Sequence, residues 1–226
     1  MPLISWQDMA TQTAPKQAQL QVVPIVADHI PQVVRLCVQG MQDNPLHVRV
    51  FGADRTLRER RLRHFFTPLI RHIMRHGLLF GGYKNAQLIG VFGMFPPGQC
   101  RPRPQHAIHL LPVFRAGGTP LGLLRLVRWL WSWLHNDPAK PHWHLGPLVI
   151  AEHLQGRGMG RQLIAQVAIR VESSGELAWL ETDKLSNVRL YESYGFSIVD
   201  QTTIMGVTNW FMQGRLPRIS PAKPAD

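Results

Sequence analysis

Three glycines at every second position, Gly156, Gly158 and Gly160, interrupt the stretch LVIAEHLQGRGMGRQLIAQVA (148–168). The stretch opens like a buried strand and closes like an amphipathic helix. Each glycine within a helix costs about 1 kcal/mol relative to alanine, so three of them at a helix start ask for a reason. Two arginines, Arg157 and Arg161, are interleaved with them. The first turn of a helix carries amide N–H groups without an intrahelical partner, at the positive end of the helix dipole. Glycines remove the Cβ atoms that would hold an anion away from those amides. The chemistry this pattern can do is phosphate or pyrophosphate binding. The competing reading is a tight turn with no ligand.

Spacing narrows the choice. A P-loop needs G-x-x-x-x-G-K-[ST], and the chain has none. A dinucleotide fingerprint needs G-x-G-x-x-G opening an N-terminal βαβ unit. Here Gly158 and Gly160 are followed by Leu163, and the unit lies near the middle of the chain. What remains is Gln155-x-x-Gly158-x-Gly160 between a strand and a helix.

The 226 residues suffice for one sizeable domain with a real core. The net charge of +11 favours an anionic partner: nucleic acid, anionic lipid or a phosphorylated ligand. Cys37 and Cys100 are far apart and belong to no metal or redox motif, so they read as thiols in a reducing compartment. The N-terminus lacks the shape of a signal peptide. No apolar run reaches the roughly 18 residues of a spanning helix. The expectation is a soluble, cytoplasmic protein.

The elements that must position the loop follow from periodicity. LQVVPIV (20–26) reads as a strand and IPQVVRLCVQGMQ (30–42) as a helix closed by DNP. Asp54 is placed to cap a long basic helix whose apolar stripe is Leu62, Phe65, Phe66, Leu69, Ile70 and Ile73. Pro68 is expected to kink that helix or split it. LLFGGYKNAQLIGVFGMF reads as two strands joined at KNAQ, and TPLGLLRLVRWLWSWLH (119–135) as a helix with a polar stripe of Arg125, Arg128, Ser132 and His135. HWHLGPLVI is the strand before the glycine loop. LAWLETD, SNVRLYESYG, FSIVDQTTI and VTNWFMQGR then read as strand, helix, strand and strand. This is a mixed α/β domain around one sheet, spanning 19–216 between loose tails at 1–18 and 217–226.

The glycine loop and LETDKLSNVRLYESYGF (180–196), one helix and one strand later, together resemble the GNAT superfamily of acyl-CoA-dependent N-acetyltransferases. The resemblance is specific over residues 142–213 and one of element order before that. It implies a central, mostly antiparallel mixed sheet of about six to seven strands flanked by helices, with the cofactor in a cleft between two central strands. The cofactor implied is acetyl-CoA. The family's Q/R-x-x-G-x-G/A loop falls on Gln155, Gly158 and Gly160, so the backbone of Gln155, Gly156, Arg157, Gly158, Met159, Gly160 and Arg161 would hold the pyrophosphate of coenzyme A. Leu148, Val149 and Ile150 would hydrogen-bond to its pantetheine arm. The family's tyrosine falls on Tyr191, the general acid for the departing thiolate, with Tyr194 as competitor. Asn187 matches a cofactor-contacting asparagine. The chain departs from the pattern in having Ala151 and Glu152 after the central strand, and Lys184 where many members have asparagine.

The implied reaction is attack of a primary amine on the thioester within a ternary complex. It needs a base and donors for the developing oxyanion, expected from strand N–H groups around Val149 and Ile150. Glu152 and Glu181, at the ends of two strands, are the candidate carboxylate bases. His142 and His144, two apart and so on one face of a strand, read as a base, a zinc pair or half-buried structural histidines. No third ligand is legible for zinc, and no metal is expected. Trp129, Trp131 and Trp133 read as core or a wall beside the substrate rather than as a membrane contact. Two further classes stand beside an enzyme: a non-catalytic acyl-CoA-binding module, and a basic RNA- or ribosome-associated protein. The acceptor stays open between small molecule and peptide, and the oligomeric state between monomer and homodimer.

Overall fold

A computed structural model describes residues 20–170 and 177–215. Both predicted tails lie outside the described residues. The chain runs β1 (Gln21–Pro24), α1 (Ile30–Met41), α2 (Pro45–Phe51), α3 (Arg55–His76), β2 (Leu78–Lys84), β3 (Gln87–Phe95), α4 (Pro104–Ala107), a 3-10 helix (Ile108–Gly117), α5 (Pro120–Asn136), β4 (Trp143–Ile150), α6 (Met159–Arg170), β5 (Leu177–Thr182), α7 (Leu185–Glu192), β6 (Ser197–Ile204) and β7 (Val207–Arg215). The seven strands form one sheet in the order β1-β2-β3-β4-β5-β7-β6. Every neighbouring pair is antiparallel except β4 and β5. The mixed, mostly antiparallel sheet expected from the sequence is the sheet observed.

Each face of the sheet carries its own core. On one side α1, α2, α3 and α5 bury Val33, Phe51, Leu62, Phe66, Leu126 and Trp129. On the other α6 and α7 bury Leu163, Ile164, Val167, Val188 and Tyr191 against Phe92 and Met94 of β3. A strand covered on both faces reads as a continuous apolar run, which is why β3 has no polar alternation.

The single parallel pair matters most. β4 and β5 are in register only at Trp143–Ala178 and His144–Trp179. Directly afterwards, β4 carries a bulge: Leu145 faces Met94 and Leu148 faces Phe92, so Gly146 and Pro147 share the single Gly93. Only glycine fits there, because a Cβ on Gly93 would lie 2.9 Å from the Gly146 carbonyl oxygen. A bulge bends its strand and raises the local twist. β4 therefore follows β3 and leaves β5, and the sheet opens into a cleft.

Three expectations needed correction. The segment after α1 is not merely a stop: Pro45 occupies the first turn of a separate helix, α2, where a missing N–H costs nothing. Pro68 does not split α3, which continues through it for 22 residues, held by packing of Phe65, Phe66, Ile70 and Ile73. Residues 104–117, passed over in the sequence, form α4 and the 3-10 helix packed beside α3 and α5. Asp54 caps α3 as expected, its carboxylate accepting from Leu57 N–H at 2.6 Å.

Candidate active site

Where β4 and β5 part, two hollows meet. The first is a groove along the free edge of β4, lined by Leu148, Val149, Ile150, Gln155, Gly156, Gly158, Gly160 and Arg161, and across the cleft by Lys184, Ser186 and Asn187. The second is a cavity of about 220 Å³ between β4, β5 and the helices α2, α3 and α5. Leu148 and Asn187 line both, so the groove runs into the cavity.

In the groove the loop leaves its backbone open on one side. Gly156 and Gly158 adopt φ of +73° and +76°, a region costly to residues with a Cβ. No atom lies within 4 Å of where either Cβ would point. The amides of Met159, Gly160 and Arg161 open α6 and have no helical carbonyl before them. Gln155 has a structural duty: its amide donates to the Ile150 carbonyl at 2.9 Å and to the Gly40 carbonyl at 3.3 Å, tying the loop to the strand end. Arg161 donates to Ser193 Oγ at 3.2 Å at the rim. Arg157 and Met159 complete the loop backbone but do not line the groove.

The strand divides its three predicted contacts. Ala151 N–H donates to Ile89 O in β3, and the register pairs Val149 with Val91. By strand alternation Val149 directs its N–H and C=O into β3, whereas Leu148 and Ile150 direct theirs to the open edge. Of the two donors expected for an oxyanion, Val149 is spent in the sheet and Ile150 faces the cleft. The groove thus fits an elongated ligand with an anionic end at α6 and a hydrogen-bonding arm along β4.

The cavity collects the ionisable groups. Tyr191 and Glu181 both line it. Tyr191 is 8% exposed, and burial, then the Glu181 carboxylate, push its phenol well above the usual range. It remains a proton donor throughout the physiological range. Tyr194 is committed elsewhere, its hydroxyl donating to Arg161 O at 2.6 Å. Asn187 Nδ2 donates to Thr182 Oγ1 at 3.1 Å, at the junction of groove and cavity. Glu152 is exposed on a short turn after β4 and lines neither hollow, so the two candidate carboxylates are not brought together.

The sequence did not reveal Asp137, at the C-terminus of α5. One of its oxygens takes His142 Nε2 and His144 Nδ1, each at 3.1 Å. Arg101 Nε lies 3.3 Å from the other. His144 Nε2 in turn lies 3.2 Å from Glu181 Oε1. Burial alone would raise Asp137, but the two imidazole hydrogen bonds outweigh it and hold the carboxyl below its usual range. Burial would lower His142, yet the Asp137 bond, helped by Cys100 and the Lys140 carbonyl, lifts it to about 10. His144 is likewise lifted well above its usual value against burial, by Glu181 and Asp137. Asp137 supplies the third donor that a zinc pair lacked in the sequence, the three ligand atoms lying within 4.8 Å. As the side chains stand, the cluster is a chain of charge-assisted hydrogen bonds ending at Glu181.

Trp129 and Trp133 line the cavity, as the reading of a wall beside the substrate required, but Trp131 is 68% exposed. Among the described residues, no helix is long and apolar enough to cross a membrane.

The family model described as Acetyltransferase (GNAT) family matches residues 51–196. A search of curated proteins finds no match by sequence. Among solved structures, the chain is similar to a histone acetyltransferase HPA2-related acetyltransferase of Corynebacterium glutamicum, with a TM-score of 0.63 at 17% identity over 91% of this chain and 99% of that one. It is also similar to the polyamine N-acetyltransferase of Drosophila melanogaster, at 0.58 and 13% over 88% and 100%. The Escherichia coli ribosomal-protein-S18-alanine N-acetyltransferase gives 0.51 and 13% over 91% and 99%. At these identities the likeness is one of fold.

Proposed function

The chain belongs to the GNAT family of acetyltransferases, and from that premise we propose that it transfers an acetyl group from acetyl-CoA to a primary amine by direct attack in a ternary complex. The observation that carries this reading is the meeting of the two hollows. A groove lined by the glycine loop and the open edge of β4 meets, at Leu148 and Asn187, a cavity that holds a carboxylate and a protonated tyrosine.

Acetyl-CoA supplies an acetyl thioester, whose carbonyl carbon bonds to the amine nitrogen as the carbon–sulfur bond breaks. The chain's own residues do the rest. The α6 amides and the glycine loop bind phosphate, with Arg161 and Lys184 adding positive charge at the rim. Leu148 offers its N–H and C=O along the open edge, while the Ile150 carbonyl is taken by Gln155 and the Ile150 N–H is the donor available to a developing oxyanion. Glu181 takes the proton that the ammonium must lose before it can attack. Tyr191 gives its proton to the departing sulfur, and the second proton from the nitrogen restores the phenol. His144 holds the Glu181 carboxylate in place and is itself held by Asp137. Glu181 is preferred to Glu152 because it shares the cavity with Tyr191.

Cys37 and Cys100 as free thiols fit a reducing compartment, the cytoplasm. The deciding experiment measures coenzyme A binding by calorimetry and thiol release from acetyl-CoA in the presence of an amine mixture. Binding with amine-dependent release supports the reading. Binding without release from any amine would make the protein a cofactor-binding module.

A further inference from the structure

We propose that the protein has a second anion site, outside the catalytic cleft, which takes a compact ligand carrying two or more phosphate groups. The site is a pocket of about 530 Å³ between α3 and the 3-10 helix. Arg63, Thr67, Arg71 and Arg75 recur at every fourth position of α3, so they share one face of the helix. Phe65, Phe66, Leu69 and Ile73, on the other side of the same helix, line the catalytic cavity. Burial of Val113 and Ala116 in the core seats the 3-10 helix, which brings His109 and Arg115 to the facing wall. The pocket shares no lining residue with the groove or the cavity.

Nothing neutralises this pocket from within. The sequence has no Asp or Glu between Glu59 and Asp137, and among the described residues the lining holds no carboxylate. Glu59 pairs with Arg63 at 2.8 Å. Among the described residues Arg71, Arg75 and Arg115 have no ion pair or hydrogen bond. Thr67 turns its hydroxyl back to the Arg63 carbonyl at 2.7 Å, and Pro68, Ile108 and Pro112 are apolar. Guanidinium groups gathered without counter-charge repel one another, and an anion between them relieves that repulsion.

His72 is an independent observation at the same place. It lines the pocket and is only 4% exposed, yet its Nδ1 is buried without a hydrogen-bond partner. A buried polar atom left unpaired is costly and asks for a partner. Burial, then His76, His106, His109 and Arg75, push this imidazole down to about 4. The ring is therefore neutral, and with its proton on Nδ1 it can donate to an oxygen that enters the pocket. The ligand chemistry follows from the donors. A guanidinium fork matches two oxygens of one phosphate, and three unengaged forks ask for more charge than a single phosphate carries. The volume falls within the roughly 300–1,000 Å³ of small-molecule sites and admits more than one phosphate.

The test is calorimetry of the full chain with tripolyphosphate, orthophosphate and citrate at fixed ionic strength, in saturating coenzyme A so that the groove is filled. The expected result is one saturable tripolyphosphate site per chain, with orthophosphate and citrate weaker by about tenfold or more. Arg71→Gln combined with Arg115→Gln changes one exposed side chain on each wall. It should weaken tripolyphosphate by about tenfold or more and leave coenzyme A affinity unchanged. Independently of any variant, tripolyphosphate should shift the ring NMR signals of His72. Citrate binding as tightly as tripolyphosphate would overturn the phosphate assignment. Weak binding that never saturates, equal binding in the double variant, or an unshifted His72 would overturn the site and leave the transferase reading untouched.

Discussion

His144 Nε2 lies 3.2 Å from Glu181 Oε1, two residues beyond Trp179, with which His144 forms the last register before β4 and β5 separate. The contact fixes a carboxylate at the mouth of the cleft, on the side of the cavity shared with Tyr191. It also explains why the cluster behind it is built as it is. A carboxylate with only 7% of its side-chain surface exposed needs a cation, and the cation needs Asp137 to remain protonated against burial.

If Glu181 accepts the ammonium proton, Glu181→Gln keeps the shape and removes the base. The expected result is a fall in kcat of about 10²-fold or more, with coenzyme A affinity little changed because Glu181 does not line the groove. Glu152→Gln should leave kcat within about twofold, as its side chain is exposed and remote from the cavity. Steady-state kinetics of both variants at saturating acetyl-CoA checks the pair. A larger loss from Glu152→Gln would transfer the role to that residue.

The glycine loop permits a cleaner test than the choice of any glycine would. Gly158 has φ of +76°, so any side chain there strains the backbone whether or not a ligand binds. Gly160 is helical, and its Cβ would meet Ile150 Cγ1 at 3.7 Å and Leu190 Cδ2 at 3.8 Å, ordinary contacts. Gly160→Ala should therefore hold or slightly raise the melting temperature, since alanine favours helix by about 1 kcal/mol. Gly160→Val, bulkier at the same amide, should weaken coenzyme A binding by about tenfold or more if the loop admits a pyrophosphate. Calorimetry with a thermal-unfolding control reads both. Unchanged affinity in the valine variant would mean that the glycine serves the helix start alone.

The Asp137 cluster should write itself into the pH dependence of stability. His142 is held near 10 in the folded protein against an ordinary value of 6.5. Between those values the folded state binds more protons than the unfolded one, so stability falls as pH rises, by at most about 1.4 kcal/mol per pH unit for one group. The contribution is complete below pH 6.5 and lost above about 10. Asp137 acts in the opposite sense. Its depressed value contributes stability above the ordinary carboxyl range that is lost as pH falls through the folded value. Denaturant melts of wild type should weaken from pH 7 to 9.5. Asp137→Asn should be less stable at pH 7 and flatter over that interval. An equally steep decline in the variant would assign the limb to other groups.

Much of the site is legible in the sequence because it is local. The glycine loop, the strand before it and the helix carrying Tyr191 lie within contiguous stretches, and their periodicities match the elements found. Asp137 is a different case. It stands five residues before His142 in a segment that reads as a helix stop, and only the return of β4 past the end of α5 aligns its carboxylate with two imidazoles. Long-range closure of that kind leaves no spacing signature. The cavity wall was half legible: the stripe Phe65, Phe66, Leu69 and Ile73 announced an apolar face, but nothing in α3 says that part of it faces a hollow rather than solid core. The bulge at Gly146–Pro147, which opens the cleft, is written in a dipeptide that also occurs in ordinary turns.

The two tyrosines of YESYG can be separated by one pair of substitutions. Tyr191→Phe keeps a ring that packs 5.9 Å from Phe196 and removes a hydroxyl that burial and Glu181 hold protonated. Packing and coenzyme A affinity should survive. The chemical step should slow by about 10²-fold, and the loss should appear in kcat, because the proton is needed in the transition state and not in the ground state. Tyr194→Phe breaks the 2.6 Å bond to Arg161 O that ties α7 to the first turn of α6. That change should cost about 1 kcal/mol of stability, loosen the loop and weaken coenzyme A binding, with kcat at saturating cofactor nearly intact. The signatures are opposite: kcat for Tyr191, stability and KM for acetyl-CoA for Tyr194. Full activity in Tyr191→Phe with a slow Tyr194→Phe would reverse the assignment of the general acid.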